Sequence, residues 1–155
     1  MTTCTRILEF DAAHRVLRHE SKCSTLHGHR YKVEITCRAI ELDEVGRVVD
    51  FGVIKALVGT WVDKHWDHTT LVNVHDDALL SWCMMDAEEN GKKPPYVVGG
   101  EPTAENIARV LLGIARRLLE NEYSSLTVLA VRVWETPNCY ASAVGDDTLP
   151  EATQP

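Results

Sequence analysis

The sequence predicts an α+β domain in which one antiparallel sheet carries two helices on one face. Residues 30–40 alternate between apolar and polar side chains, which is typical of a half-buried strand. Residues 103–121 repeat apolar side chains at helical spacing. In chain order the patterns give β-β-α-α-β-β, and placing both helices on one face is the economical packing for that order.

The first two predicted strands frame a polar loop. Residues 5–10 form the first strand, which continues through 11–14 to end at His14. Residues 16–26 lack a helix or strand period and predict a loop. One face of the second strand is apolar and consists of Tyr31, Val33, Ile35, Cys37 and Ala39.

Two long helices are predicted, each with its own N-cap. Asp50 precedes an apolar stripe that predicts a helix over 51–65. Thr103 caps the second helix, which should end near Asn121. Residues 74–101, rich in Asp, Gly and Pro, predict loops, with room for a short helix over 78–87.

Two more strands complete the predicted sheet. They cover residues 126–135 and 139–144, and the turn between them contains a proline, which cannot extend the ladder. We therefore expect one domain over residues 1–144, with a long insertion at about 74–101. The acidic end, residues 145–155, is predicted to be a disordered tail.

Composition excludes several classes of protein. The 155 residues are 45% hydrophobic and 25% charged, which is ordinary for a globular domain. A net charge of -7 and a pI near 5.4 argue against nucleic-acid binding. The first residues do not have the pattern of a signal peptide, and no apolar run is long enough for a membrane span. The five scattered cysteines indicate reduced thiols and not a disulfide framework. We expect a cytoplasmic protein that acts on neither nucleic acid nor membranes.

A cysteine and a His-x-His pair form the most informative stretch. Cys23 lies four residues before His27, and His29 shares a strand face with His27. Converging neutral imidazoles suit Zn²⁺, and His14 is the third candidate ligand. Cys23 is either a reactive thiolate beside an open metal position or a fourth ligand that closes the site. Locally hydrogen-bonded histidines beside a buried cysteine are the plainer alternative.

Two further positions are candidates for chemistry. Asp67 directly precedes His68 at a helix end, where an aspartate can hold an imidazole in one tautomer; a simple helix C-cap is the alternative. Glu135 shares an apolar strand face with Leu129, Val131 and Val133, where a carboxylate needs partners. It suits the paired N–H donors of a guanine or pterin edge, unless the strand turns that side chain to solvent.

Basic residues crowd the cysteine–histidine stretch. They offer a pocket for an anionic small molecule, or else they are solvated surface charges. They are Arg15, Arg18, Lys22 and Arg30.

Six segments in order extend this pattern over nearly the whole chain, from about residue 5 to 144. They are Phe10-Asp11-Ala12-Ala13-His14-Arg15, Cys23-x-x-x-His27-Gly28-His29, Gly46-Arg47-Val48-Val49-Asp50-Phe51, Asp67-His68, Pro102-Thr103-Ala104-Glu105-Asn106 and Glu135-Thr136. Together they resemble the 6-pyruvoyltetrahydropterin synthase / 6-carboxytetrahydropterin synthase family. The three-residue spacer after Cys23 resembles the bacterial carboxy-forming branch of queuosine and 7-deazapurine biosynthesis.

The resemblance implies a function for each candidate residue. Zn²⁺ would be held by His14, His27 and His29. Proton transfer would fall to Cys23, Asp67 and His68. Glu135 would anchor the pterin ring in a pocket also lined by Thr103 and Glu105. The implied reaction converts 7,8-dihydroneopterin triphosphate into 6-carboxy-5,6,7,8-tetrahydropterin, acetaldehyde and triphosphate. The basic residues near 15–30 would bind the triphosphate.

The resemblance also implies an assembly. The family has the tunnelling fold (T-fold), in which sheets of several subunits close into a barrel. The expected state is a homohexamer, a dimer of trimers, with active sites between subunits. Two departures stand out: one extra residue precedes Asn73 in the Asp67-His68 motif, and residues 74–101 are longer than usual.

Three other functions remain open on the sequence. The same residues suit the pyruvoyl-forming reaction, in which only the fate of the side chain differs. A non-catalytic zinc- or pterin-binding homologue would use Cys23 as a fourth ligand. A metallohydrolase is less well supported, because the usual carboxylate ligand motifs are absent from the sequence.

Overall fold

The computed structural model describes residues 2–145, which form one six-stranded sheet and three helices. The strands are β1 Thr3–His14, β2 His27–Ala39, β3 Thr69–Asn73, β4 Tyr96–Val98, β5 Leu126–Thr136 and β6 Cys139–Val144. The helices are α1 (51–65), α2 Asp77–Asn90 and α3 Ala104–Glu120. Apart from Gly145, the predicted disordered tail lies outside the described residues.

The sheet is mixed, whereas the sequence patterns predicted a purely antiparallel one. Its order is β4-β3-β1-β2-β5-β6, and the four predicted strands do pair antiparallel. The patterns missed β3 and β4, which lie at one edge of the sheet. β3 pairs parallel to β1, and β4 pairs parallel to β3. Both are short, with five and three residues, so neither provides a readable alternation.

Helices α1 and α3 lie where the sequence predicted them. The Asp50 carboxylate accepts the Gly52 N–H at 2.7 Å, and the Thr103 hydroxyl caps α3 by accepting the Asn106 N–H. Residues Lys55–Gly59 of α1 form a π-helical turn. No helix among residues 2–145 is long and apolar enough to cross a membrane.

The main core lies between α1, α3 and the inner face of the sheet. Leu111 of α3 and Ile54 of α1 are fully buried against strand residues such as Tyr31 and Val131. The predicted apolar face of β2 is this inner face, since Tyr31, Val33, Ile35 and Cys37 are all fully buried. The α3 stripe also packs into this core.

Helix α2 is the largest departure from the predicted architecture. It covers 14 residues instead of the short segment expected over 78–87. Leu71 joins the main core, whereas the adjacent Val72 packs with Leu79 and Cys83 of α2. Because successive strand residues point to opposite faces, α2 covers the opposite face of β3. The helices therefore do not all share one face of the sheet.

Candidate active site

Three histidines meet where β1 ends and β2 begins. His14 is the last residue of β1 and lies directly opposite His27, the first residue of β2. His29 follows two residues later on the same face. The ring centroids are 4.6 Å apart for His14–His27, 5.1 Å for His14–His29 and 4.9 Å for His27–His29. Their nearest ligand atoms all lie within 4.8 Å of one another.

Backbone carbonyls orient two of these rings. His14 Nδ1–H donates to the Pro102 carbonyl and His27 Nδ1–H donates to the Thr25 carbonyl, both at 2.7 Å. Each bond leaves the Nε2 lone pair free. His14 Nε2 is buried without a hydrogen-bond partner in the described residues, which is costly unless it binds a ligand. This carbonyl–histidine arrangement is the one that orients metal ligands.

Burial favours the uncharged form of two of the three histidines, His14 and His29. It lowers the pKa of His14 to about 4, despite the opposing effect of the Pro102 carbonyl. Burial and the neighbouring His27 also lower the pKa of His29. Neutral imidazoles are the ligand-competent form, so the donors fit a divalent metal. Since His14 is neutral at pH 7, its 4.0 Å approach to Glu135 is a polar contact and not an ion pair.

A cavity of about 210 Å³ opens beside two of the histidines. It brings together the predicted residues Cys23, Thr103, Glu105 and Glu135 with His14 and His27. Among the described residues, two groups of possible metal donors converge. One consists of the three histidines and does not include Cys23, and the other consists of Asp11, Asp67 and His68. Cys23 is therefore a cavity thiol next to the histidine site.

Glu135 reaches this cavity from the inner face of β5. Burial, followed by repulsion from Glu105, raises the pKa of its carboxyl group. Val131 and Val133 share its face, as predicted, but Leu129 does not. A register shift between β2 and β5 leaves Leu129 without a paired residue in β2, so Val128 takes the buried position instead.

Thr103 and Glu105 enter the cavity from the start of α3. The Thr103 hydroxyl is already engaged as the N-cap, at 3.4 Å from the Asn106 nitrogen. Glu105 is exposed in the first turn of the helix, where a carboxylate is favoured by the helix dipole. Glu105 is thus the freer of the two to contact a ligand.

Asp67 and His68 form a dyad directly after α1. His68 Nδ1–H donates to Asp67 Oδ2 at 2.7 Å, while the Asp11 N–H donates to Asp67 Oδ1 at 2.9 Å. Burial disfavours ionisation of Asp67, but the hydrogen bonds from Asp11 and His68 hold the pKa of its carboxyl below the usual range. His68 adopts a left-handed backbone, with φ 57°, and its side chain is 74% exposed.

The dyad does not share a cavity with Cys23 in one chain. His68 lines a separate cleft of about 540 Å³, together with His29 and residues of the 74–101 segment. The two cavities have no lining residue in common. The histidine site lies between them, since His29 borders one and His14 and His27 border the other.

Comparison with known proteins assigns the family. The 6-pyruvoyl tetrahydropterin synthase family matches residues 3–146. The chain belongs to this family. A relative named 6-carboxy-5,6,7,8-tetrahydropterin synthase, from Rickettsia bellii, is 42% identical over 141 residues, covering 90% of this chain and 98% of that protein. A protein of the same name from Haemophilus influenzae is 28% identical over 144 residues, covering 90% and 96%.

Solved structures confirm the T-fold of this tetrahydropterin synthase family member. An uncharacterized protein from Wolinella succinogenes superimposes with a TM-score of 0.77 at 22% identity, covering 94% of this chain and 98% of that one. The 6-pyruvoyl tetrahydropterin synthase of Caenorhabditis elegans gives 0.64 at 23%, covering 93% and 95%.

Sequence reasoning missed several residues of the cavity that contains Cys23 and Glu135. His19, Cys139 and Tyr140 also line the smaller cavity, although nothing in their spacing indicated it. The loop brings His19 there by closing on itself, because the Val16 N–H donates to the Cys23 carbonyl at 2.9 Å. A closed loop of this kind depends on backbone geometry and leaves no side-chain pattern.

The four predicted basic residues line neither of the two cavities, and two of them are paired within the chain. Arg15 makes two 2.6 Å hydrogen bonds to the buried Asp76 carboxylate. Arg30 pairs with Glu9 and Asp11. The basic charge of both residues is therefore compensated within the chain. The exposed Arg18 and Lys22 are the more available cations of the predicted four.

Proposed function

We propose that the chain is a zinc-dependent lyase acting on 7,8-dihydroneopterin triphosphate. The products would be 6-carboxy-5,6,7,8-tetrahydropterin, acetaldehyde and inorganic triphosphate, and one water molecule would be consumed. The 42% identity to a relative of that name, over 98% of its length, favours this product. The expected use of the product is queuosine and 7-deazapurine biosynthesis.

The metal would be held by His14, His27 and His29. Three neutral imidazoles with a fourth position open are the donor set of a catalytic zinc site. The buried, unpartnered His14 Nε2 supports this assignment. When bound, Zn²⁺ supplies Lewis acidity that polarises substrate oxygens and acidifies the neighbouring C–H bonds.

The chain's own residues would bind the substrate and move its protons. Glu135, partly buried on an apolar strand face, would accept the paired N–H donors of the pterin ring. Cys23, which borders the same cavity, would remove a carbon-bound proton as its thiolate. His68, with Nδ1–H held by Asp67, presents Nε2 as a second proton acceptor.

We propose that the complete site forms between subunits of a homohexamer. In one chain Cys23 and His68 line different cavities, so a neighbouring subunit must supply one of them if both act on one substrate. Mixing inactive Cys23→Ala and His68→Ala subunits should restore about a quarter of wild-type activity if each site draws its two halves independently. No recovery in the mixture would contradict a shared site.

The observation that carries the proposal is the convergence of Cys23, Glu135 and two of the three histidines on one cavity. The test is mass-spectrometric product analysis after the zinc-loaded protein is incubated with 7,8-dihydroneopterin triphosphate. We expect 6-carboxytetrahydropterin and acetaldehyde. A 6-pyruvoyl product would keep the site but reject the carboxy-forming assignment, and unchanged substrate would reject both.

A binding-only function is tested on the same protein. If Cys23 were a fourth zinc ligand, Cys23→Ala would lose the metal and the wild-type thiol would react slowly with iodoacetamide. We expect the opposite for both measurements, because Cys23 lies outside the group of convergent histidine donors.

A further inference from the structure

The segment 74–101 makes a specific contact with the Asp67–His68 dyad. Lys93 lies just beyond α2, and its Nζ donates to the Asp67 carbonyl at 2.8 Å. The same ammonium donates to the Asp63 carbonyl at 2.5 Å, in the last turn of α1. Carbonyls at a helix end lack partners inside the helix, so a lysine is well suited to this position.

Lys93 and Asp11 hold opposite ends of one peptide group. The Asp67 carbonyl, which accepts from Lys93, and the His68 N–H belong to the same peptide plane. That N–H donates to the Asp11 carbonyl at 2.7 Å. The orientation of this plane is therefore fixed at both of its polar ends.

The fixed plane matters because of the backbone at His68. Its φ of 57° lies in the left-handed region, which is unfavourable for a residue with a side chain. The ring is 74% exposed, so packing does little to orient it. Its direction depends instead on the backbone and on the hydrogen bond to Asp67.

The segment that carries Lys93 is itself anchored. The Thr69 hydroxyl donates to the carbonyl of Pro94, the next residue, at 2.9 Å. The chain then enters β4, which pairs with β3. Lys93 is thus presented by a fixed backbone, although its side chain is exposed.

We propose that Lys93 is a positioning residue that keeps His68 aimed for proton transfer, which gives the 74–101 segment a role in the reaction. This inference rests on the proposed function for its kinetic consequence. Lys93 lines the same cleft as His68, but its Nζ is bound to the Asp63 and Asp67 carbonyls and acts on His68 through the backbone. A small rotation of the Asp67–His68 peptide would move the imidazole away from the reacting atom, and misplacement by about 1 Å can cost about 100-fold in rate.

The kinetic test compares Lys93→Met with Lys64→Met. Lys64 is exposed in the last turn of α1 and lines neither cavity, so it provides a matched loss of one lysine. We expect Lys93→Met to lower kcat by about 10- to 100-fold with KM unchanged, and Lys93→Arg to recover most of that loss. Lys64→Met should behave like the wild type. Equal kcat values for Lys93→Met and Lys64→Met would overturn the proposal.

A double-mutant cycle separates positioning from general destabilisation. Because Lys93 acts through His68, Lys93→Met should add nothing to the loss caused by His68→Gln. Additive losses would mean that Lys93 acts independently of His68, and they would contradict the proposal. Lys93→Ala, which also removes both hydrogen bonds of Nζ, provides the same comparison if Lys93→Met folds poorly.

A measurement without substrate distinguishes this inference from the proposed function. The ¹⁵N NMR shifts of His68 report its tautomer and its hydrogen bond to Asp67. We expect them to change in Lys93→Met and to remain unchanged in Lys64→Met. If the wild type fails to convert the pterin substrate, the proposed function fails while this readout still decides the role of Lys93. Unchanged His68 shifts in Lys93→Met would reject the positioning role of Lys93.

Discussion

The histidine site and the Asp67–His68 cleft use the same side chain in opposite environments. His14 is 2% exposed, and burial lowers its pKa to about 4 although its Nδ1–H donates to a neutral carbonyl. His68 is 74% exposed and donates to a carboxylate. Burial without a charged partner favours the neutral imidazole that a metal site would need, whereas the His68 ring stays open to solvent beside a carboxylate.

The two regions also differ in what supports them. The histidine site borders the main core of the sheet, where Tyr31 packs edge-on to His14 and His29. One wall of the cleft belongs to α2, which packs through a small separate cluster with Val72, Leu79 and Cys83 at its centre. The proposed metal donors thus lie beside the main core, whereas the proposed proton carrier faces a cleft partly walled by the smaller cluster.

Removing a proposed metal donor should produce the largest effect. We expect His14→Ala to lose bound zinc and to show only background turnover, because two imidazoles do not complete the site. Metal content by atomic absorption and activity should be measured on the same sample. The exposed His75 provides the control, His75→Gln, which should keep both. Full zinc content in His14→Ala would reject the three-histidine assignment.

Breaking the dyad should reduce turnover without removing metal. In Asp67→Asn the new amide donates to His68 Nδ1, which moves the imidazole proton to Nε2 and blocks proton acceptance there. We expect kcat to fall by about 10² to 10⁴ with zinc content unchanged. If Asp67→Asn retained wild-type kcat, Asp67 and His68 would serve only as a helix C-cap.

The difference between the two cores can be measured by unfolding. Leu111 is fully buried in the main core, and Leu111→Ala should lower the free energy of unfolding by about 2–5 kcal/mol. Leu79 lies in the smaller cluster, so Leu79→Ala should cost less and mainly increase hydrogen exchange in α2. Urea titrations compare the two variants. A larger loss in Leu79→Ala would show that α2 belongs to the same cooperative core.

The stability of the metal-free protein should depend on pH through His14. The folded protein takes up this proton only near pH 4, whereas the ordinary pKa is 6.5. Protonation thus favours the unfolded chain, and the free energy of unfolding should fall as pH drops from about 6.5 towards 4. The shift corresponds to about 3 kcal/mol. Urea titrations across this range should show a shallower dependence in His14→Gln; an equal slope would contradict the assignment.

Long periodic segments were predictable, and short or irregular ones were not. The alternation of β2 and the apolar stripe of α3 appear where predicted because each follows one repeat over many residues. Helix α2 was underestimated because its apolar residues do not form one stripe: Leu79 is buried, but Trp82 and Met85 are exposed. Its ends are set by the Asp76 cap and by Gly91, which has φ 61°.

The sequence by itself determined the α+β class, the main strands and helices, and several of the residues that line the smaller cavity. It did so because strand alternation and helix caps are local, and because the spacing of His27 and His29 fixes their common face. Only the tertiary structure decided that His14 lies opposite His27, that Cys23 and His68 border different cavities, and that Lys93 reaches Asp67. Those relations depend on strand register and loop closure between segments far apart in the chain, which no local pattern specifies.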